Sequence, residues 1–105
     1  MISIIVKRCQ EAISEIVIQD HAGYKEKGED LVCAGVSSIA IGALNAIDLK
    51  GKQVCDLEMK DAYIRITVVC MEDHDVQVML NMLIIQLMTM QEAYSKYLKI
   101  TDQEV

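Results

Sequence analysis

The segment QDHAGYKEKGEDLVCAGVSS, residues 19 to 38, places one histidine and one cysteine twelve positions apart with two glycines between them. A thiol and an imidazole are the parts of a nucleophile and its base, provided the fold brings them within hydrogen-bond reach. Cys33 falls at the start of an apolar helical stretch, where free backbone N–H groups and the macrodipole favour negative charge. That position is expected to lower the thiol pKa and raise the thiolate fraction. The same amides would suit the oxyanion of a tetrahedral intermediate, so acyl transfer by Cys33 with His21 as base is coherent chemistry. Asp30 reads first as a helix cap or first-turn acid and second as a residue that orients the pair. Gly23 and Gly28 give the intervening loop the freedom to open for a substrate, and Ser37 follows Cys33 by one helical turn. Each residue also has a plainer reading: a core thiol, a solvated turn histidine, a cap, turn glycines and a hydroxyl bonded to its own helix.

The remaining reactive side chains suggest no second site. Cys55 and Cys70 lie in apolar strand contexts and read as inert core, Cys9 ends a hairpin strand without an evident partner, and His74 sits among acids as a surface group. The four cysteines lack zinc-ligand spacing, and a set of His21, Cys33, Cys70 and His74 has none either, so no metal and no cofactor is expected. Without an export signal the cysteines should be free thiols. The start, MISIIVKRCQ, has no basic region ahead of an apolar run, and no uninterrupted apolar stretch nears eighteen residues. A cytoplasmic protein that does not engage a membrane is the expectation.

These residues need a frame to hold them. A chain of 105 residues that is 52% hydrophobic suits one domain spanning residues 1 to 105. Alternation predicts strands over 2 to 8 and 13 to 19, joined as a hairpin that lacks an Asn-Gly or Asp-Gly turn. A helix is expected from Glu29 to Leu49, with Lys50 at its tail and Gly51 just beyond. Its Ala34, Gly35, Ser37, Gly42 and Ala43 are small enough for close approach. A second hairpin follows in QVCDLEM and AYIRITVVC, residues 53 to 59 and 62 to 70, with Ile64, Ile66, Val68 and Cys70 on one face. Asp73 then caps a long helix whose stripe is Val76, Met79, Leu80, Leu83, Leu87, Met90 and Tyr94. The closing TDQEV reads as a frayed tail. The fold class is therefore α+β, a two-layer β-β-α-β-β-α domain with helices packed on a small mixed or antiparallel sheet. Met82, Ile84, Ile85 and Met88 lie outside the stripe, and this surplus apolar surface predicts a homodimer. The net charge of −6 disfavours direct nucleic-acid binding and suits a basic peptide.

The run His21, Ala22, Gly28, Asp30, Leu31, Val32, Cys33, Ala34, followed by Ser37, resembles the signature of the bacterial ribosomal-processing cysteine protease family Prp. The likeness extends to chain length, element order and the NAI at Asn45 to Ile47. It implies a small homodimeric endopeptidase that removes an N-terminal extension from a large-subunit ribosomal protein, number twenty-seven, before ribosome assembly. It implies Cys33 as nucleophile and His21 as base, with Asp30 in a supporting place. A loop over Ala22 to Glu29 would cover the site, so Ala22, Gly23, Gly28 and Ser37 would meet the substrate. One position departs from the pattern: Asp20 stands where family members usually carry glycine, adding a charge and a backbone restriction beside His21. The rival is a non-catalytic dimeric module that binds ribosomal proteins and clamps them with the same loop.

Overall fold

The structure is a computed structural model that describes residues 1–26 and 30–104. Strands β1 (Ile2–Cys9) and β2 (Ala12–Gln19) lead to helix α1 (Leu31–Asp48). Strands β3 (Cys55–Lys60) and β4 (Tyr63–Val68), helix α2 (His74–Ala93) and strand β5 (Leu98–Glu104) follow. The five strands form one mixed sheet in the order β3-β4-β2-β1-β5, antiparallel throughout except where β5 runs parallel to β1.

The alternation read from the sequence is the alternation of burial. Ile2, Ile4 and Val6, then Ile16 and Ile18, then Ile64, Ile66 and Val68 point to the face that the helices cover. Val32, Val36, Ala40, Leu44 and Ile47 of α1 and Val76, Leu80, Leu83, Ile84 and Leu87 of α2 join them in one core cluster. The i, i+4 spacing of the α1 set is that of one helix face. By length and apolarity α1 would match a membrane span, yet it spends its buried stripe on this sheet. The opposite sheet face is left half-exposed and polar, with the Glu15 carboxylate 3.4 Å from Lys7 Nζ and 3.2 Å from Arg65 Nε.

Where the expected pattern breaks, side chains supply the reason. Ile13 and Ile16 both face inward because the β1–β2 register slips between Lys7 and Arg8, a bulge that inserts one residue. The backbone of Ile13 is satisfied from above: its N–H donates to Gln77 Oε1 at 2.8 Å, and Gln77 Nε2 donates to its carbonyl at 2.9 Å. The first hairpin turns through Gln10 and Glu11 at φ 51° and 73°, two positive angles in succession without a glycine. Arg8 Nη1 donates to the Glu11 carbonyl and the Gln10 N–H donates to Glu104 Oε1, bonds that hold the turn from outside.

Two expectations are corrected. Thr101 to Glu104, read with Val105 as a frayed tail, belong to β5, which pairs with β1 from Leu98 to Glu104, while Val105 lies outside the described residues. Leu98 is buried, Ile100 N–H donates to Gln91 Oε1 at 2.7 Å, and Arg8 Nε spans both Asp102 oxygens at 2.9 and 3.1 Å. Ile84, read as surplus surface, is core, because the buried face of α2 is wider than the stripe read from the sequence: Val76, Leu80, Leu83, Ile84 and Leu87 follow i, i+4, i+7, i+8 and i+11, with Ile84 at its edge. Val78, Met82, Ile85 and Met88 remain exposed on its outer side. Of the small residues of α1, Gly35 does sit at a close approach, its hydrogen facing the Met90 side chain, whereas Gly42 faces open space.

Candidate active site

The site forms where β2 ends and α1 begins. β2 stops at Gln19 because the chain turns sharply: Asp20 adopts φ 74°, and its N–H donates to the Ala62 carbonyl of the neighbouring hairpin turn at 2.9 Å. That left-handed geometry is one glycine adopts without steric cost, which gives the departure at Asp20 a physical meaning. The chain then carries His21, exposed, and Ala22, buried, back across the start of α1.

Helix α1 starts at Asp30 by ordinary capping. Asp30 Oδ1 accepts from the N–H groups of Val32 and Cys33, both at 3.0 Å, and Oδ2 accepts from the Tyr24 N–H at 3.0 Å. The carboxyl is buried at 8% exposure, which alone would raise its pKa. The hydrogen bonds from Cys33 and Tyr24 outweigh that burial and hold it below the usual carboxylate range. Asp30 is therefore a charged cap that ties the loop to the helix.

Cys33 lies in the first turn of α1 with its side chain half-buried. Its Sγ accepts a hydrogen bond from the Ala22 N–H at 3.2 Å. Burial pushes the thiol pKa up, the Ala22 N–H opposes this, and the negative charge of Asp30 adds to the rise, so the net direction is upward. The lowered thiol pKa expected from a helix terminus is not what the structure gives. The reason is local: the amides of Val32 and Cys33 that would have favoured a thiolate are already taken by Asp30. The donor left on the sulfur is Ala22.

His21 and Cys33 line the same cavity, of about 580 Å³, together with Asp20, Gly23, Lys25, Asp30, Ala34 and Ser37. Ile2 from β1 and the turn residues Asp61 and Ala62 close its other side. Among the described residues no hydrogen bond joins the imidazole to the sulfur; what touches the sulfur is the peptide group that follows His21. Of the residues singled out from the sequence, Cys33, His21, Asp30, Gly23 and Ser37 meet at this cavity and Ala22 contacts its sulfur, while Gly28 lies outside the described residues. Sequence reasoning missed Ile2, Asp61 and Ala62. The pairing of Gln19 with Tyr63 brings the β3–β4 turn beside Asp20, and only that register could have signalled it. The other cysteines lie elsewhere, Cys55 buried with its thiol pushed up to about 11 by burial and then by Asp73. Among the described residues no cluster of three His, Cys, Asp or Glu side chains could hold a metal ion.

Comparison with known proteins adds the family. The model of the cysteine protease Prp family matches residues 1–99. The chain belongs to the Prp family of cysteine proteases. A Staphylococcus aureus ribosomal processing cysteine protease Prp is 27% identical over 90 residues, covering 84% of this chain and 85% of that protein. The Bacillus subtilis Prp is 40% identical over 48 residues, covering 45% of this chain and 43% of its own. The solved S. aureus Prp with a covalently linked product peptide superposes with a TM-score of 0.91 at 25% identity, covering 98% of this chain and all of that one. A Streptococcus mutans structure shares the fold at TM-score 0.84 and 22% identity, over 100% of this chain and 96% of that one. Prp membership makes the chain a cysteine peptidase by family, and the α+β architecture with its mixed sheet is that of the solved Prp structures.

Proposed function

We propose that this Prp-family protein is a thiol endopeptidase in which Cys33 is the nucleophile and His21 the base, cutting an N-terminal extension from a large-subunit ribosomal protein. The observation that carries the reading is the convergence of Cys33 and His21 on one cavity, with a backbone N–H already bonded to the sulfur. The Cys33 sulfur attacks the scissile carbonyl carbon and its proton passes to His21. The tetrahedral intermediate collapses, the C–N bond breaks, and the amine of the mature protein leaves with the proton from His21. Water then hydrolyses the thioester and releases the extension as a carboxylic acid. Burial and Asp30 push the resting thiol up, so in this reading Cys33 attacks as a thiol whose proton His21 takes as the C–S bond forms.

Asp30 serves this chemistry indirectly, by capping α1 and by fixing the Tyr24 amide. Gly23, at φ 72° with open space around it, and Ser37, on the exposed side of α1, are the substrate-facing positions. The covalently linked product peptide of the S. aureus relative supports a covalent route. A ribosomal substrate is supported by the name of the S. aureus relative, its identity as protein number twenty-seven comes from the resemblance of the motif alone, and a basic peptide suits a chain of charge −6. A cytoplasmic homodimer is the matching setting, with the exposed Val78, Met82, Ile85 and Met88 of α2 as its contact face.

Mass spectrometry of the extended ribosomal protein, incubated with the wild type and with Cys33→Ala, tests the proposal. Cleavage by the first and a loss of several orders of magnitude in the second is the expected pair of results. Binding without any cut by the wild type would instead favour a non-catalytic binding module, and equal cutting by both would remove Cys33 from the mechanism.

A further inference from the structure

The Tyr24 ring has been given no part in the chemistry just described, yet it is anchored on two sides within the segment that carries His21. Its ring meets Tyr94 edge-on at 5.9 Å between centroids and 85°, and Tyr97 at 5.0 Å and 78°. Both partners belong to the α2–β5 junction, far away in sequence. That junction is itself fixed: the Tyr97 N–H donates to the Tyr94 carbonyl at 2.9 Å, and the Ile2 N–H of β1 donates to the Tyr97 carbonyl at 2.8 Å. The backbone of Tyr24 is held separately, by its N–H on Asp30 Oδ2. Two residues upstream the Ala22 N–H rests on Cys33 Sγ, and upstream again the Asp20 N–H is pinned to Ala62. His21 and Ala22 therefore hang between two fixed points, and Gly23, between them and Tyr24, has a positive φ and open space where a Cβ would stand.

We propose that Tyr24 is a positioning residue for the reaction: its ring, clamped between Tyr94 and Tyr97, holds the His21–Ala22 peptide over Cys33. The inference rests on the reading of Cys33 and His21 given above. Edge-to-face aromatic pairs stabilise beyond their buried area and fix orientation as well as distance, which a catalytic donor needs. The contacts that matter are ring edges and a backbone N–H, so the phenolic oxygen is dispensable.

The test has two parts. In kinetics, Tyr24→Ala and Tyr97→Ala should each lower kcat by about tenfold or more with KM shifted far less, and Tyr24→Phe should stay within about threefold of wild type. The double variant Tyr24→Ala/Tyr97→Ala should lose little more than either single, since the two rings act as one clamp. Additive losses, or a Phe variant as impaired as Ala, would overturn the proposal. In the second part, exchange of the Ala22 and Tyr24 amide protons is followed by NMR in the folded protein, with circular dichroism confirming the fold. Exchange should be about tenfold faster in Tyr24→Ala and unchanged in Tyr24→Phe. Equal protection in wild type and Tyr24→Ala would refute the clamp. Because that measurement needs no substrate, an inactive wild type would count against the protease reading and leave the clamp to be decided by exchange alone.

Discussion

At the scale of single residues, the site is a contest over who uses the amides at the tip of α1. Asp30 wins the Val32 and Cys33 N–H groups, and its charge then weighs against a second anion one turn away. Alkylation by iodoacetamide reports this directly. The Cys33 profile should rise through a midpoint above the ordinary thiol range of about 8.5, yet ahead of the core thiol Cys55, which is pushed up to about 11. Asp30→Asn keeps an oxygen for the cap but removes the carboxylate charge, so it should move the Cys33 midpoint down. A wild-type midpoint near neutral pH would contradict the resting-state electrostatics. Asp20 offers a second residue-level test. Its left-handed φ of 74° is a geometry an L side chain adopts at a cost, so Asp20→Gly should stabilise the fold by about 0.5–1 kcal/mol in urea unfolding. A loss of stability would mean that the carboxylate repays the strain. The residues that meet at this cavity were legible before the fold: His21, Asp30 and Cys33 were readable as imidazole, cap and thiol. Their electrostatics were not, because which carboxylate oxygen takes which amide is settled by a loop's path and leaves no mark in residue spacing.

At the scale of elements, strands β1, β2 and β4 and helix α1 follow directly from apolar alternation and from the 3.6-residue period. Helix α1, expected from Glu29, which lies outside the described residues, begins at Leu31 behind the Asp30 cap, and the turn beyond it at Gly51, φ 88°, is where the stop signal put it. The polar strand β5 was hidden because Leu98 and Ile100 are its only strongly apolar residues, and its remaining order comes from Arg8, Gln10 and Gln91, distant partners that a local pattern does not contain. The β1–β2 bulge was hidden for the same reason: what makes it tolerable is Gln77, reaching down from α2 to both backbone groups of Ile13. Gln77→Ala should therefore cost about 1–3 kcal/mol by denaturant unfolding, since it strands a donor and an acceptor in a partly buried setting. A change within about 0.5 kcal/mol, typical of an exposed surface position, would show that water replaces the glutamine.

At the scale of the whole molecule, one sheet face is spent on the core and the other is left polar, so the surplus apolar surface lies on the helices. Val78, Met82, Ile85 and Met88 are each more than half exposed along the outer side of α2. Such a row is what a subunit contact covers. Light scattering at micromolar concentration should give a dimer mass for the wild type and a monomer mass for Met82→Lys/Ile85→Lys. A monomeric wild type, or a double variant that remains dimeric, would remove this face from the assembly. The sequence pointed to this excess of apolar residues but assigned Ile84 to it, because spacing places Ile84 at the edge of the apolar face and how wide a face the sheet covers is set by packing.

The central claim is that a sulfur on α1 and an imidazole at the end of β2 form one reactive unit. It is tested most directly by a peptide of the ribosomal-protein extension that ends in a chloromethyl ketone at the cut site, with tryptic mapping of the labelled cysteine and the labelling rate followed over time. Label is expected on Cys33 and none on Cys9, Cys55 or Cys70, with labelling at least about tenfold slower in His21→Ala. Label on another cysteine, or an unchanged rate without the imidazole, would contradict it.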